Sequence, residues 1–241
     1  MNAPEHESAR LVGQFFDRQQ SSNQYQSLKK MTSRLDMAAA SALNQKVAGD
    51  VLSIGGVWDF FEWREQIKSL TVMDLSEEML SAYCPEGARG VVGDLYTHDF
   101  ATKRFDSIVF PLILHHTPQG NWRSCEQRIE EAMQRARRWL KPRGHVYIIE
   151  YCPHPCWYPV QRALLPVTRR FLRWFEQPLV VMYTRSFYER VLARTFGSCE
   201  LHKVAPDGFD YWAWYPVFMS IRWLRMPFAL YPKMYVMSAP A

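Results

Sequence analysis

The sequence predicts a doubly wound α/β fold, and three observations carry that prediction. Short apolar strands alternate with amphipathic helices between Val47 and Tyr151. A Gly55-Gly56 pair follows the first of those strands, and acidic residues stand where the second and third end, at Asp74 and Asp94. Alternation of this kind means a largely parallel sheet, because consecutive parallel strands need a crossover and the crossovers cover both faces with helices. Two more strand candidates near the end of the chain bring the sheet to seven.

Each element has its own justification. The first 46 residues read as two helices, the second carrying Leu28, Met31, Leu35, Ala38, Ala42 and Leu43 on one apolar stripe. Residues 51–54 are a short apolar run, as a buried strand would be. Residues 59–68 can form a helix with Phe60, Trp63 and Ile67 on one side, and residues 70–73 make the second strand. Ser76 then suits a helix N-cap, with Glu77 and Glu78 in the first turn where the helix dipole favours acids. Residues 90–93 are a brief third strand and 105–114 a fourth. A helix over 122–140 turns Ile129, Ala132, Met133 and Ala136 inward and is stopped by Lys141-Pro142-Arg143-Gly144; residues 145–151 are the fifth strand. Beyond it, 152–183 reads as an inserted helical segment, and Ser186 to Glu189 as a capping box opening a helix that ends near Gly197. Residues 198–204 and 233–237 are the last strands, with an aromatic insertion over 209–231 between them. The expectation is one domain over 1–241: N-terminal helices over 1–46, a ligand-binding core over 47–151, and lid insertions with the last two strands over 152–241.

Composition narrows the function classes. An apolar fraction of 48% with 22% charged residues belongs to a chain that packs a core. The net charge is +5, and residues 162–194 supply most of it, with seven Arg against Glu176 and Glu189. No basic run, RNA-recognition motif or zinc-finger spacing accompanies the charge, so nucleic acid is not the expected partner. An anionic substrate, an anionic membrane surface or a solvated face accounts for it equally well. Five irregularly spaced Cys and the lack of a charged-then-apolar leader point to a reducing cytoplasm. No metal is expected either: Cys152-Pro153-His154-Pro155-Cys156 offers at most three ligands in a loop stiffened by proline, and no second pair completes a tetrahedral set.

The chemistry belongs at the C-terminal ends of the strands, where such sheets bind nucleotides. Gly55-Gly56 lets a ligand approach the backbone closely. Asp74, about twenty residues further on, is the expected partner of ribose hydroxyls and would repel a 2′-phosphate. Asp94 offers a second acceptor at the same edge, suited to an adenine amino group. His115 and Glu150 end neighbouring strands, which places an imidazole and a carboxylate over one cleft. His115 is the candidate general base, Glu150 the group that orients it, and His116 the second candidate base.

Taken in order, these segments resemble the motifs of class I S-adenosylmethionine (SAM)-dependent methyltransferases. Val51-Leu52-Ser53-Ile54-Gly55 and Val72-Met73-Asp74-Leu75-Ser76-Glu77-Glu78-Met79-Leu80 resemble the first two. Gly93-Asp94-Leu95, Phe105-Asp106-Ser107-Ile108-Val109, Leu114-His115-His116-Thr117 and Leu140-Lys141-Pro142-Arg143-Gly144 resemble those that follow. The likeness spans residues 47–151 and is greatest to the small-molecule branch of ubiquinone, sugar and natural-product enzymes. It implies a Rossmann-like sheet whose last strand is antiparallel, and SAM as cofactor. Gly55 and Gly56 would line its methionine part, Asp74 and Leu75 its ribose, Asp94 and Leu95 its adenine, with Pro111 at the end of strand four beside them.

The sequence also departs from that pattern. The family writes an acid where Ser53 stands and glycines where Val57 and Asp59 stand. Ser53 brings no charge to meet the cofactor's ammonium group. Either Asp59 substitutes from the loop, or SAM binds weakly, or the fold serves another use. The expected function is methyl transfer to a small apolar or aromatic acceptor, O-directed because a His–Glu pair suits a hydroxyl. N- or C-methylation, a lipid or quinone acceptor at a membrane, a cyclase-type reaction and a non-catalytic role are the rivals. The aromatic stretch after Tyr151, with Trp157, Trp174, Trp212 and Trp223, is expected to roof the acceptor pocket. The alternatives are a homodimer interface or a peripheral membrane contact through Arg169, Arg170, Arg173, Arg222 and Arg225.

Overall fold

A computed structural model describes residues 10–18, 24–44, 46–56, 65–100, 105–204 and 232–241, with side chains for all of these except 24–33. Seven strands form one sheet in the order β3-β2-β1-β4-β5-β7-β6. They are β1 (Gly49–Ile54), β2 (Ile67–Asp74), β3 (Arg89–Val92), β4 (Phe105–Pro111), β5 (Leu140–Cys152), β6 (Glu200–Lys203) and β7 (Lys233–Pro240). The first five run parallel, and β7 lies antiparallel between β5 and β6. The Rossmann-like sheet with its reversed last strand is therefore present. Strand order turns back at β1 and β4, and that switch point is where this architecture opens a crevice.

Helices cover both faces, which is why the central strands are apolar on both sides. Val51, Leu52, Ser53 and Ile54 of β1 are all buried. On one face α4 (Trp122–Trp139) sets Ile129 and Met133, and α6 (Arg185–Phe196) sets Phe187 and Leu192, against Leu52, Ile108 and Ile148. On the other, Leu35, Ala39 and Leu43 of α2 (Gln24–Asn44) pack on Val51, Val72 and Ile149. The remaining helices are α1 (residues 10–18), α3 (Glu77–Tyr83) and α5 (Trp157–Trp174). Among the described residues no helix is long and apolar enough to cross a membrane.

Several expected boundaries move. Ile67 and Lys68 belong to β2, where Ile67 pairs with Gly49, and not to a helix over 59–68; residues 57–64 lie outside the described ones, as does the aromatic insertion. β4 stops at Pro111, because Leu112 takes φ +54° and Leu114–His116 coil into a 3-10 turn. β5 begins at Leu140, directly after α4: Leu140 pairs with Phe105 and His145 with Ser107, and the extra residues bulge out with Arg143 at φ +68°. The cap of α6 is Thr184, not Ser186, since Thr184 has the extended backbone and its hydroxyl accepts from Phe187 N at 3.3 Å. Ser76 caps α3 as expected, accepting from Met79 N at 2.9 Å.

The end of the sheet opposite the crevice is tied by charge. Lys141 Nζ reaches Asp50 and Asp106 at 2.8 Å each, Asp50 N donates to Asp106, and Ser69 donates to Asp50 at 2.6 Å. One ammonium thus joins β1, β4 and β5, with β2 attached through Ser69. Asp106, then Asp50, raises the pKa of Lys141. Its contribution to stability is therefore complete below the ordinary lysine value and is lost as pH rises past the elevated one. Lys141→Met should lower Tm at pH 7 by roughly 2–4 °C, read by thermal denaturation, and an unchanged Tm would contradict the clamp.

Candidate active site

The candidate residues sit at the C-terminal ends of five strands, β1 to β5. After β1 the chain turns through Gly55 at φ +89° and Gly56 at φ +69°, conformations that favour glycine, and Gly55 N donates to Met73 O at 2.8 Å. Space imposes the same choice. A Cβ on Gly55 would lie 2.6 Å from Ile113 Cβ, and one on Gly56 would collide with the Asp74 carboxylate. The loop after β4 and the acid of β2 thus both close down on the glycine turn.

Asp74 ends β2 with Oδ1 accepting from Ser76 N at 2.8 Å, while its carbonyl receives Gly93 N at 2.8 Å. Burial raises its pKa to about 6; the amides of Ser76 and Leu75 lower it and the Asp17 charge raises it further. A carboxylate in that state gains from any additional donor. Leu75 beside it is half-buried. Asp94 is held by its own turn: Oδ1 accepts from Tyr96 N at 2.7 Å, and its carbonyl from His98 N at 2.8 Å. Leu95 is buried in the core behind it. Ser53 is fully buried in β1 between Val72 and Val109, and its hydroxyl has no hydrogen-bond partner among the described residues. Pro111 is buried and pairs with Ile149. Asp59 lies outside the described residues.

On the other side of Ile113 stand the histidines. Glu150 of β5 is 1% exposed, and Oε1 accepts from Leu114 N at 2.8 Å and His115 N at 3.3 Å. Its Oε2 lies 2.7 Å from His115 Nδ1. With Glu150 ionised, Nδ1 carries the imidazole proton and Nε2 keeps its lone pair. His115 sits in the 3-10 turn after β4 rather than in the strand. The His116 ring lies 4.2 Å from it, tilted by 46°, with a buried Nδ1 that has no partner among the described residues. Burial first, and His115 second, lower its pKa well below the ordinary histidine value, so it stands neutral.

The sequence predicts a helix in the N-terminal arm, but not that α1 contacts both of these halves. In α1, Asp17 accepts from Ser76 Oγ, Phe16 meets the His116 ring edge-on at 5.2 Å, and Arg18 pairs with Glu176 beyond α5 at 3.6 Å. These contacts join the turn after β2, the histidine turn and the segment that follows α5. The Cys152–Cys156 loop does not gather ligands: Cys152 is buried, whereas Cys156 and His154 are exposed and 3.1 Å apart. No cluster of three metal-binding side chains occurs among the described residues.

Residues 52–148 match a family described as a methyltransferase domain. No curated protein matches the chain. Among solved structures, a DhpI complex with SAH has TM-score 0.65 at 14% identity, covering 98% of each chain. The 1,6-didemethyltoxoflavin-N1-methyltransferase of Burkholderia thailandensis, with its namesake compound and S-adenosylhomocysteine bound, has TM-score 0.56 at 16% identity, covering 100% of this chain and 91% of the other. The N-methyltransferase NodS of Bradyrhizobium japonicum WM9 has TM-score 0.52 at 15% identity, covering 88% and 95%. At such identities the likeness is one of fold.

Two substitutions probe the glycine turn and its acid. Because the folded pKa of Asp74, about 6, lies above the ordinary 3.8, its ionisation opposes folding; the stability it contributes is full below 3.8 and is lost as pH rises through 6. Asp74→Asn should therefore raise the Tm of the ligand-free protein at pH 7.5, by about 1–2 kcal/mol in stability, and by less at pH 4.5. Thermal melts at the two pH values decide it, and a Tm loss at both would contradict it. Gly55→Ala should cost on the order of 2 kcal/mol or more, measured by denaturant unfolding, with part of the loss recovered on Ile113→Ala.

Proposed function

We propose, from the premise that the chain belongs to the class I methyltransferase superfamily, that it transfers the methyl group of SAM to a hydroxyl of a small apolar or aromatic acceptor. The observation that carries the O-directed reading is the buried Glu150–His115 contact at 2.7 Å, with His115 two residues after the Ile113 that packs on the glycine turn. An amine acceptor is nucleophilic when neutral and would not call for that pair.

The residues of the crevice fit the cofactor. Gly55 and Gly56 hold positive-φ backbone in a turn packed against Ile113 and the Asp74 carboxylate, where no side chain would fit. The Ser53 hydroxyl, two residues before Gly55 in β1, is a buried polar atom without a partner among the described residues. Asp74 has a carboxylate whose charged form is short of donors, and ribose hydroxyls would supply them. Leu75, Leu95 and Pro111 would give the adenosine apolar surface. Asp94 would take the adenine amino group with the oxygen that its turn leaves over. When bound, the sulfonium supplies an electrophilic methyl group. His115 Nε2 would take the proton of the acceptor hydroxyl, and Glu150 would hold the ring in the tautomer that allows this and stabilise the imidazolium. His116, neutral and packed under Phe16, would shape the acceptor side.

Turnover of SAM with a panel of hydroxylated aromatic compounds, followed by S-adenosylhomocysteine release, tests the assignment. His115→Ala and Glu150→Gln should each slow kcat by roughly 10²–10⁴-fold while the KM for SAM stays near wild type. Wild-type turnover in His115→Ala would refute the base. The KM for SAM should rise as pH falls below about 6, where Asp74 takes up its proton; a KM independent of pH down to 5 would remove Asp74 from the cofactor site.

A further inference from the structure

We propose that the outer face of α5 is a docking surface for an anionic lipid bilayer. Along this helix Val160, Leu164, Val167, Phe171 and Trp174 recur every three or four residues, which puts them on one stripe. All five face solvent; Val167 is 67%, Phe171 57% and Trp174 83% exposed. Phe175 continues the stripe, its ring 4.8 Å from that of Phe171. The helix is attached to the protein by its other side. Leu165 is buried, Gln161 exchanges hydrogen bonds with the backbone of Met182 at 3.1 and 3.2 Å, and Arg169 donates to Gly120 O at 3.0 Å. A contiguous apolar stripe of this kind is unusual on a surface that meets only water.

Charge selects the occupant. α5 contains Arg162, Arg169, Arg170 and Arg173 and not one acidic residue. A second copy laid along the same stripe would bring arginine against arginine with no carboxylate on either helix to offset them. A bilayer with anionic headgroups offers hydrocarbon to the stripe and phosphate to the guanidinium groups beside it. A Trp at the end of the stripe suits the headgroup level. The helix would lie in the plane of the interface, and this docking stands independently of the methyl-transfer reading.

Sedimentation of the full chain with phosphatidylcholine vesicles, with and without phosphatidylglycerol, is the test. The protein should pellet with the anionic vesicles and be released as salt is raised. Phe171→Ser/Trp174→Ser should lower partitioning at least tenfold, as should Arg170→Glu/Arg173→Glu, with Tm and circular dichroism of wild type because these side chains are exposed. Wild-type protein that stays in the supernatant with anionic vesicles overturns the proposal. So does vesicle binding undiminished in the Phe171→Ser/Trp174→Ser variant. A dimer seen by light scattering that this variant dissolves would assign the face to a second copy and overturn it as well.

Discussion

One buried carboxylate organises the crevice. Glu150 stands on β5 with almost no exposure and accepts three donors from the turn after β4: the amides of Leu114 and His115 and the His115 ring. Water does not reach it, so each donor it lost would leave a charge or an amide unsatisfied in the interior. The carboxylate therefore sets the path of residues 113–116 as well as the aim of the imidazole. That path presses Ile113 onto Gly55, so the geometry of the glycine turn depends on the same anchor. Leu112 at φ +54° is the strained link that lets a strand end so abruptly.

The two ends of the crevice follow different physics. At the β2 end, Asp74 is a half-buried carboxylate whose pKa burial raises to about 6, so its ionised form is a cost to folding. At the β4–β5 end, the charge of Glu150 is fully met by its neighbours, and precision is what the burial provides. The helix α1 touches both ends through Asp17 and Phe16, so the turns after β2 and β4 share a wall. The clamp of Lys141 with Asp50 and Asp106 fixes the opposite end of the same strands, which keeps the crevice walls in register.

Much of this was legible in the sequence, for local reasons. The inner residues of β1 and β4 are mostly apolar because both their faces are covered, and Asp74 and Glu150 fall at or near the strand ends where this architecture opens a crevice. The His115–Glu150 pairing could be read because adjacent parallel strands bring their ends together. Lys141 to Gly144 read as a plain stop because nothing local distinguishes a loop from a bulge in a strand that has already begun. Ser186 and Thr184 are both good caps, and only the backbone conformation chose between them. The part played by α1 was not legible: Asp17 and Ser76 are 59 residues apart, and no periodicity announces such a contact. Asp59, proposed to replace the missing acid, and the aromatic insertion fall outside the described residues.

The central claim is that the crevice between Gly55 and Asp74 recognises SAM although Ser53 stands where the family writes an acid. Calorimetric titration of the wild-type chain with S-adenosylhomocysteine at neutral pH tests it most directly. Saturable one-to-one binding that weakens at least tenfold in Asp74→Asn is the predicted result. No heat at millimolar ligand, from protein that melts cooperatively, would contradict it.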